Sequence, residues 1–118
     1  MVEFVLVFPV LALLLFGVVQ FGIVFHNYVT LTDAVRAGSR QAAVGRHLSD
    51  PEGAAEERVR ESATNLDQAK LEVDVQAPPE WLPGTDVTVE ASYPYSINLL
   101  GIVVASGDLT SSTTERVE

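Results

Sequence analysis

Residues 4 to 25 read FVLVFPVLALLLFGVVQFGIVF, twenty-two positions without a charge and with Gln20 as the only strongly polar side chain. At ~1.5 Å rise per residue the run makes a helix of roughly 33 Å, enough to cross the ~30 Å hydrocarbon layer of a bilayer. A soluble domain of 118 residues has no use for such a segment. It must be hidden from water, in lipid or against copies of itself, and Glu3, standing directly before it, bears on which.

Charge divides the chain in the same way. Residues 1 to 46 carry Glu3 and Asp33 against Arg36, Arg40 and Arg46, whereas residues 47 to 118 carry fourteen acids against four bases, near −10. The reading is a stalk over residues 1–46, spanning the membrane at 4–25, and a small acidic head over 47–118. So acidic a surface repels phosphate backbones, which argues against nucleic acid as a partner. With no cysteine, neither a disulfide framework nor a thiolate metal site is available. A head of about seventy residues buries little surface by itself and is marginal unless something braces it.

The N-terminus does not read as a secretory signal. Its apolar run exceeds the usual ~7–15 residue core, no basic segment precedes it, and no small-residue cleavage pattern follows before His26 and Asn27. A plain single-pass anchor explains length and apolarity equally well. The bases Arg36, Arg40 and Arg46 all follow the span, so charge bias alone would hold the head in the cytoplasm, and a basic leader removed after insertion would reverse that. Within the span, Pro9 comes after only a turn or so of helix, where it favours a kink or local loosening. Gly17 and Gly22 are five apart rather than the four of a GxxxG face, yet they allow close backbone approach. Gln20 either bonds to a neighbouring helix or is satisfied on its own.

Past Phe25 the helical period continues. Leu31, Ala34, Val35, Gly38 and Ala42 form a small-residue stripe at spacings of three and four, with Asp33, Arg36 and Arg40 on other faces. Leu31, Val35, Gly38 and Ala42 are the expected contacts between stalk and head. The helix should end near Gly45, with Arg40 and Arg46 close to its negative end. Ser49-Asp50-Pro51-Glu52 signals the start of a second helix, reaching about Asn65 and burying Ala55, Val59, Ala63 and Leu66. Glu56 and Arg60 attract at i,i+4, while Glu57 and Glu61 repel.

Two alternating segments then predict strands at 70–76 and 86–93, joined through the Pro- and Gly-rich 77–85, and a Thr/Ser-rich third strand is expected over about 109–117. The fold class is α+β, a long hydrophobic helix followed by a head of one helix and a three-stranded antiparallel sheet. The apolar stretch Ile97 to Val104, INLLGIVV, is expected to pack on the stalk or on a neighbouring subunit rather than face water.

Nothing in the chain carries a catalytic signature. His26 and His47 have no carboxylate at metal-ligand spacing and read as an interfacial residue and a solvated loop residue. Phosphate-loop, dinucleotide, nucleophile-elbow and zinc-helix motifs are absent from the sequence. Glu72, Asp74, Asp86 and Glu90 admit a calcium site in principle, but solvated strand faces look the same and no glycine-containing ligand loop accompanies them. Thr110 to Thr114 reads as ordinary strand in preference to a glycosylated segment. No enzyme activity, metal or cofactor is expected.

Val2-Glu3-Phe4, Phe8-Pro9-Val10-Leu11, Leu13 to Gly17, Gln20-Phe21-Gly22 and the segment Leu31 to Val44, LTDAVRAGSRQAAV, together resemble the TadE/TadG-like pilins and pseudopilins of bacterial tight-adherence pili. The C-terminal Thr113 to Glu118 resembles that family's ending more weakly. The resemblance implies a type IV pilin-like subunit. Such a subunit carries a short basic leader cut by a prepilin peptidase, rests in the cytoplasmic membrane with its head outside, and is drawn by an assembly platform and an ATPase into an extracellular filament of identical subunits. A minor pseudopilin or membrane-anchored accessory protein that does not form the shaft is the alternative. The family's mature chains place the glutamate fifth; here it is third, so either two residues precede Met1 or the start is assigned differently.

For that role Glu3, Phe4, Pro9, Leu13, Gly17, Gln20 and Phe21 are the expected subunit-packing residues. A carboxylate at the lip of an apolar helix costs several kcal/mol to bury unless paired, and in a staggered bundle the nearest cation is a neighbour's terminal amine. Glu3 would thereby fix register while the apolar surface supplies cohesion.

Overall fold

A computed structural model describes residues 1–99 and 101–118. Helix α1 (Val2–Val44) is followed by α2 (Pro51–Ser62) and by strands β1 (Glu72–Gln76), β2 (Asp86–Leu99) and β3 (Ile102–Arg116). The three strands form one antiparallel sheet in the order β1-β2-β3. The α+β arrangement expected from the pattern is the one found. The molecule measures 71 × 22 × 19 Å because α1, 43 residues long, runs its whole length.

Only the C-terminal part of α1 is buried. Leu31, Ala34, Val35, Gly38, Ser39, Ala42 and Ala43 are covered by α2 and by one face of the sheet. Leu31, Val35 and Ala42 join Ala55, Val59, Leu71, Val87, Val89 and Val117 in a single apolar core. Small residues let the helices close up: a side chain on Gly38 would run into the Val59 methyl and stand 3.1 Å from the Ala55 carbonyl oxygen. Among the described residues Ser39 is the one fully buried polar residue and donates to the Arg36 carbonyl at 2.9 Å, whereas the buried hydroxyl of Thr32, a residue only half-covered, has no partner.

Gly45 ends α1, though with φ of −88°, so it does not use the left-handed freedom of glycine. Its hydrogen is needed for space, since a Cβ would lie 2.9 Å from the Gln41 carbonyl oxygen. Asp50, rather than Ser49, caps α2 by accepting from the Gly53 N–H at 3.1 Å, and Pro51 occupies the first turn. That helix ends at Ser62, short of the Asn65 expected. The cause is Gln68, whose amide donates to the carbonyls of Arg60 and Ala63 at 3.3 and 3.0 Å and closes the final turn. Ala63 and Leu66 are still buried, from the turn that follows. Glu56 holds Arg60 at 3.2 Å, and the expected Glu57/Glu61 repulsion is offset by Arg58, 3.7 Å from Glu61.

The strands depart from expectation in length. β1 starts two residues late, at Glu72, while β2 continues six residues beyond Tyr93 and β3 begins seven before Leu109. Ile97–Leu99 and Ile102–Val104 therefore belong to the two arms of a hairpin, and Ile102, Val103 and Val104 are exposed in the single chain rather than packed on the stalk. Gly101, at φ of +82°, supplies the positive dihedral of the tight turn between Leu99 and Ile102, and Leu100 lies outside the described residues. A register shift between Ile97 and Asn98 bends the hairpin near its end. At the other end of the sheet, Val117 is buried and Glu118 donates its N–H to the Ala43 carbonyl at 3.0 Å, tying the C-terminus to the stalk.

Candidate assembly and membrane surface

The stalk below the head is bare. In the most apolar eighteen-residue window of α1 no residue is buried, and the helix is long and apolar enough to cross a membrane. Phe4 is 68 % exposed and Glu3 and Pro9 are exposed beside it; α1 remains helical through Pro9. The rings of Phe4 and Phe8 lie 5.9 Å apart, tilted by 35°. Side chains placed on Gly17 or Gly22 would meet nothing within 4 Å, so this chain's own packing does not require glycine at either position.

Leu13, Gly17 and Phe21, expected at subunit contacts, lie on one helical face together with Val10, Leu14 and Val18. That face forms one wall of an apolar cleft of about 560 Å³, and the far wall is Leu99, at the end of the β2–β3 hairpin. The hairpin thus descends beside the stalk to the level of the proposed span. Its helix-facing positions follow the strand period: Tyr93, Tyr95, Ile97 and Leu99 are half-covered, whereas Pro94, Ser96 and Asn98 are exposed. Tyr95 covers Gly107 on the opposite strand, 3.2 Å from where a Cβ would sit. Gln20 is half-buried.

Leu31, Val35, Gly38 and Ala42, expected to join stalk to head, are all buried, in the packing described above. Polar contacts near the stalk–head junction were not legible beforehand. The Asn65 amide reaches His26 Nε2 at 3.4 Å and the Thr30 hydroxyl at 3.5 Å, and the Asp67 N–H donates to the Tyr93 hydroxyl at 3.2 Å. His47 is an exposed turn residue. Of the four acids considered for calcium, Asp74 and Glu90 face each other in register, while Asp86 stands 4.0 Å from Arg116. Among the described residues no three acidic, histidine or cysteine side chains group closely enough to hold a metal ion.

The head therefore offers a polar, acidic outer sheet face, and the stalk offers an uncovered apolar rod. An arrangement of this kind can anchor in lipid and pack against similar rods. No curated protein and no solved structure matches the chain. Residues 1–40 match the family described as TadE-like protein, which is the family that the V-E-F opening and the small-residue stripe resemble, and the match fits a membrane-anchored protein associated with tight-adherence pili.

Proposed function

We propose that this chain is a structural pilin-like subunit, held in the bacterial cytoplasmic membrane by α1 with its head outside and then assembled through α1 into an extracellular filament of the tight-adherence type. The observation that carries the reading is the uncovered lower stalk, whose apolar surface has to meet lipid before assembly and other stalks after it. The family match over residues 1–40 supports the same role and points to structural rather than catalytic work. Its partners are then copies of itself, a prepilin peptidase and the pilus assembly platform. Glu3 pairs with a neighbour's terminal amine to set the stagger. Mass spectrometry of sheared surface fibres tests this: the chain should be a major fibre component in the wild type, and Glu3→Ala should leave it in the membrane. Fibres lacking the chain would remove the shaft role.

One observation favours a minor pseudopilin that caps or primes the fibre. The end of the hairpin, at Leu99, stands across a cleft from the Val10–Phe21 face of α1, where it would crowd neighbours that a shaft subunit packs against that face. Under this reading immunogold label on the fibre should be confined to an end, and label repeated along the length would exclude it.

A further inference from the structure

We propose that the tip of the β2–β3 hairpin, residues 97–99 and 101–105, is a second membrane contact, seated in the acyl–headgroup boundary beside the helix. The inference rests on the reading of α1 as a membrane span. Leu99 shares a cleft with Val10, Leu13, Gly17 and Phe21, so a bilayer around that part of the helix also surrounds the hairpin end. The tip has the composition for it: apart from Asn98 and the turn glycine these residues are apolar, and Ile102, Val103 and Val104 are 69, 58 and 60 % exposed. Polar residues begin immediately above, with Ser96 opposite Ser106 and then Asp108 on the second arm.

Backbone hydrogen bonding limits the depth. β1 pairs with β2 only between Thr88 and Ser92, so beyond Tyr93 the hairpin is a two-stranded ribbon with both edges unpaired. Such edges are not tolerated in the middle of the hydrocarbon, where each unsatisfied group costs several kcal/mol, but water and ester groups satisfy them at its boundary. The helix permits this placement. Val2 to Phe21 alone spans about 30 Å. With the outer hydrocarbon boundary near Phe21 and residues 22–25 of the apolar run in the headgroup layer, the middle of the cleft lies about 5–10 Å below that boundary, the depth at which interfacial amphipathic elements rest. A lipid surface is thus the occupant for which the patch is suited, and the hairpin fixes the height and tilt of the head above the membrane.

The sequence has no cysteine, so single cysteines can carry a nitrobenzoxadiazole label on the full chain. Labels would be placed at Val103→Cys in the tip, Ser112→Cys in the upper arm and Phe16→Cys in the helix, in phosphatidylcholine–phosphatidylglycerol vesicles containing acyl-chain spin-labelled lipid. The expected result is quenching at 103 at least half as strong as at 16, with less than a tenth of that at 112. Quenching at 16 but not at 103 overturns the proposal while leaving the span intact. If 103 is unquenched and the unlabelled Val103→Cys chains form disulfide dimers, a second copy covers the patch instead, which also overturns it. Absence of quenching at both 16 and 103 removes the membrane reading and this inference together.

Discussion

Gly38 shows how a single hydrogen atom sets the distance between stalk and head. Because the obstacle to a larger residue is chiefly one methyl of Val59, Gly38→Ala should destabilise the head by about 1–3 kcal/mol, as overpacking of a closed contact does. Combining it with Val59→Ala should cost less than the sum of the two single changes, since the second removes the atom that the first strikes. Thermal unfolding of the four proteins in one detergent measures this cycle, and strict additivity would show that the helices separate instead of clashing. Val117 is the corresponding test at the C-terminus. Its truncation to alanine removes two buried methyl groups and should cost about 2 kcal/mol, while a change within 0.5 kcal/mol would mean that the latch contributes little.

At the scale of elements, the sheet carries a repulsion that its sequence does not need. Asp74 and Glu90 stand directly opposite on the outer face, and like charges in that position are destabilising. Glu90→Lys converts the pair to an attractive one and should raise stability by roughly 0.2–1 kcal/mol at low salt, an effect that 1 M salt should largely erase. A gain that persists at high salt would assign it to packing. The turn at Gly101 is more demanding: alanine there must adopt a positive φ, and Gly101→Ala should destabilise the hairpin by about 1 kcal/mol, read as faster amide exchange over 96–106 with the core unchanged.

The type of each element was legible because periods of 3.6 and 2 are written plainly in Leu31–Ala42, Val73–Val75 and Val87–Tyr93. Lengths were less so. Pro94 and Gly107 interrupt the strand pattern, and proline normally argues against a strand; it is tolerated here because the pairing with β1 stops at Ser92, opposite Glu72, and leaves that edge of β2 open. The alternation in fact continues through Tyr95, Ile97 and Leu99, and a glycine two residues past Leu99, next to Ile102, is a hairpin signal. The side-chain cap by Gln68 had no local signature, since it joins residues five and eight apart across a turn. Nor could sequence place the hairpin against the stalk, which depends on the twist and register of the whole sheet.

For the molecule as a whole, the decisive asymmetry is between a head that buries its apolar residues and a stalk that exposes nearly all of them. A rod of this kind is unstable as a dispersed monomer in water, because burial of apolar surface gives about 25 cal/mol per Å² and the lower stalk has no internal partner. Lipid or a bundle of similar rods would resolve this, while the acidic head favours water. Glu3, at the opposite end, is the one charged group within the apolar part of α1 and therefore the residue most sensitive to what surrounds it. Cryo-electron microscopy of fibres sheared from cells expressing the chain is the most direct measurement. The account predicts residues 2–25 as helices packed along the fibre axis with Glu3 beside a neighbouring terminal amine; a fibre whose core is built from another polypeptide, with this helix absent from it, would contradict it.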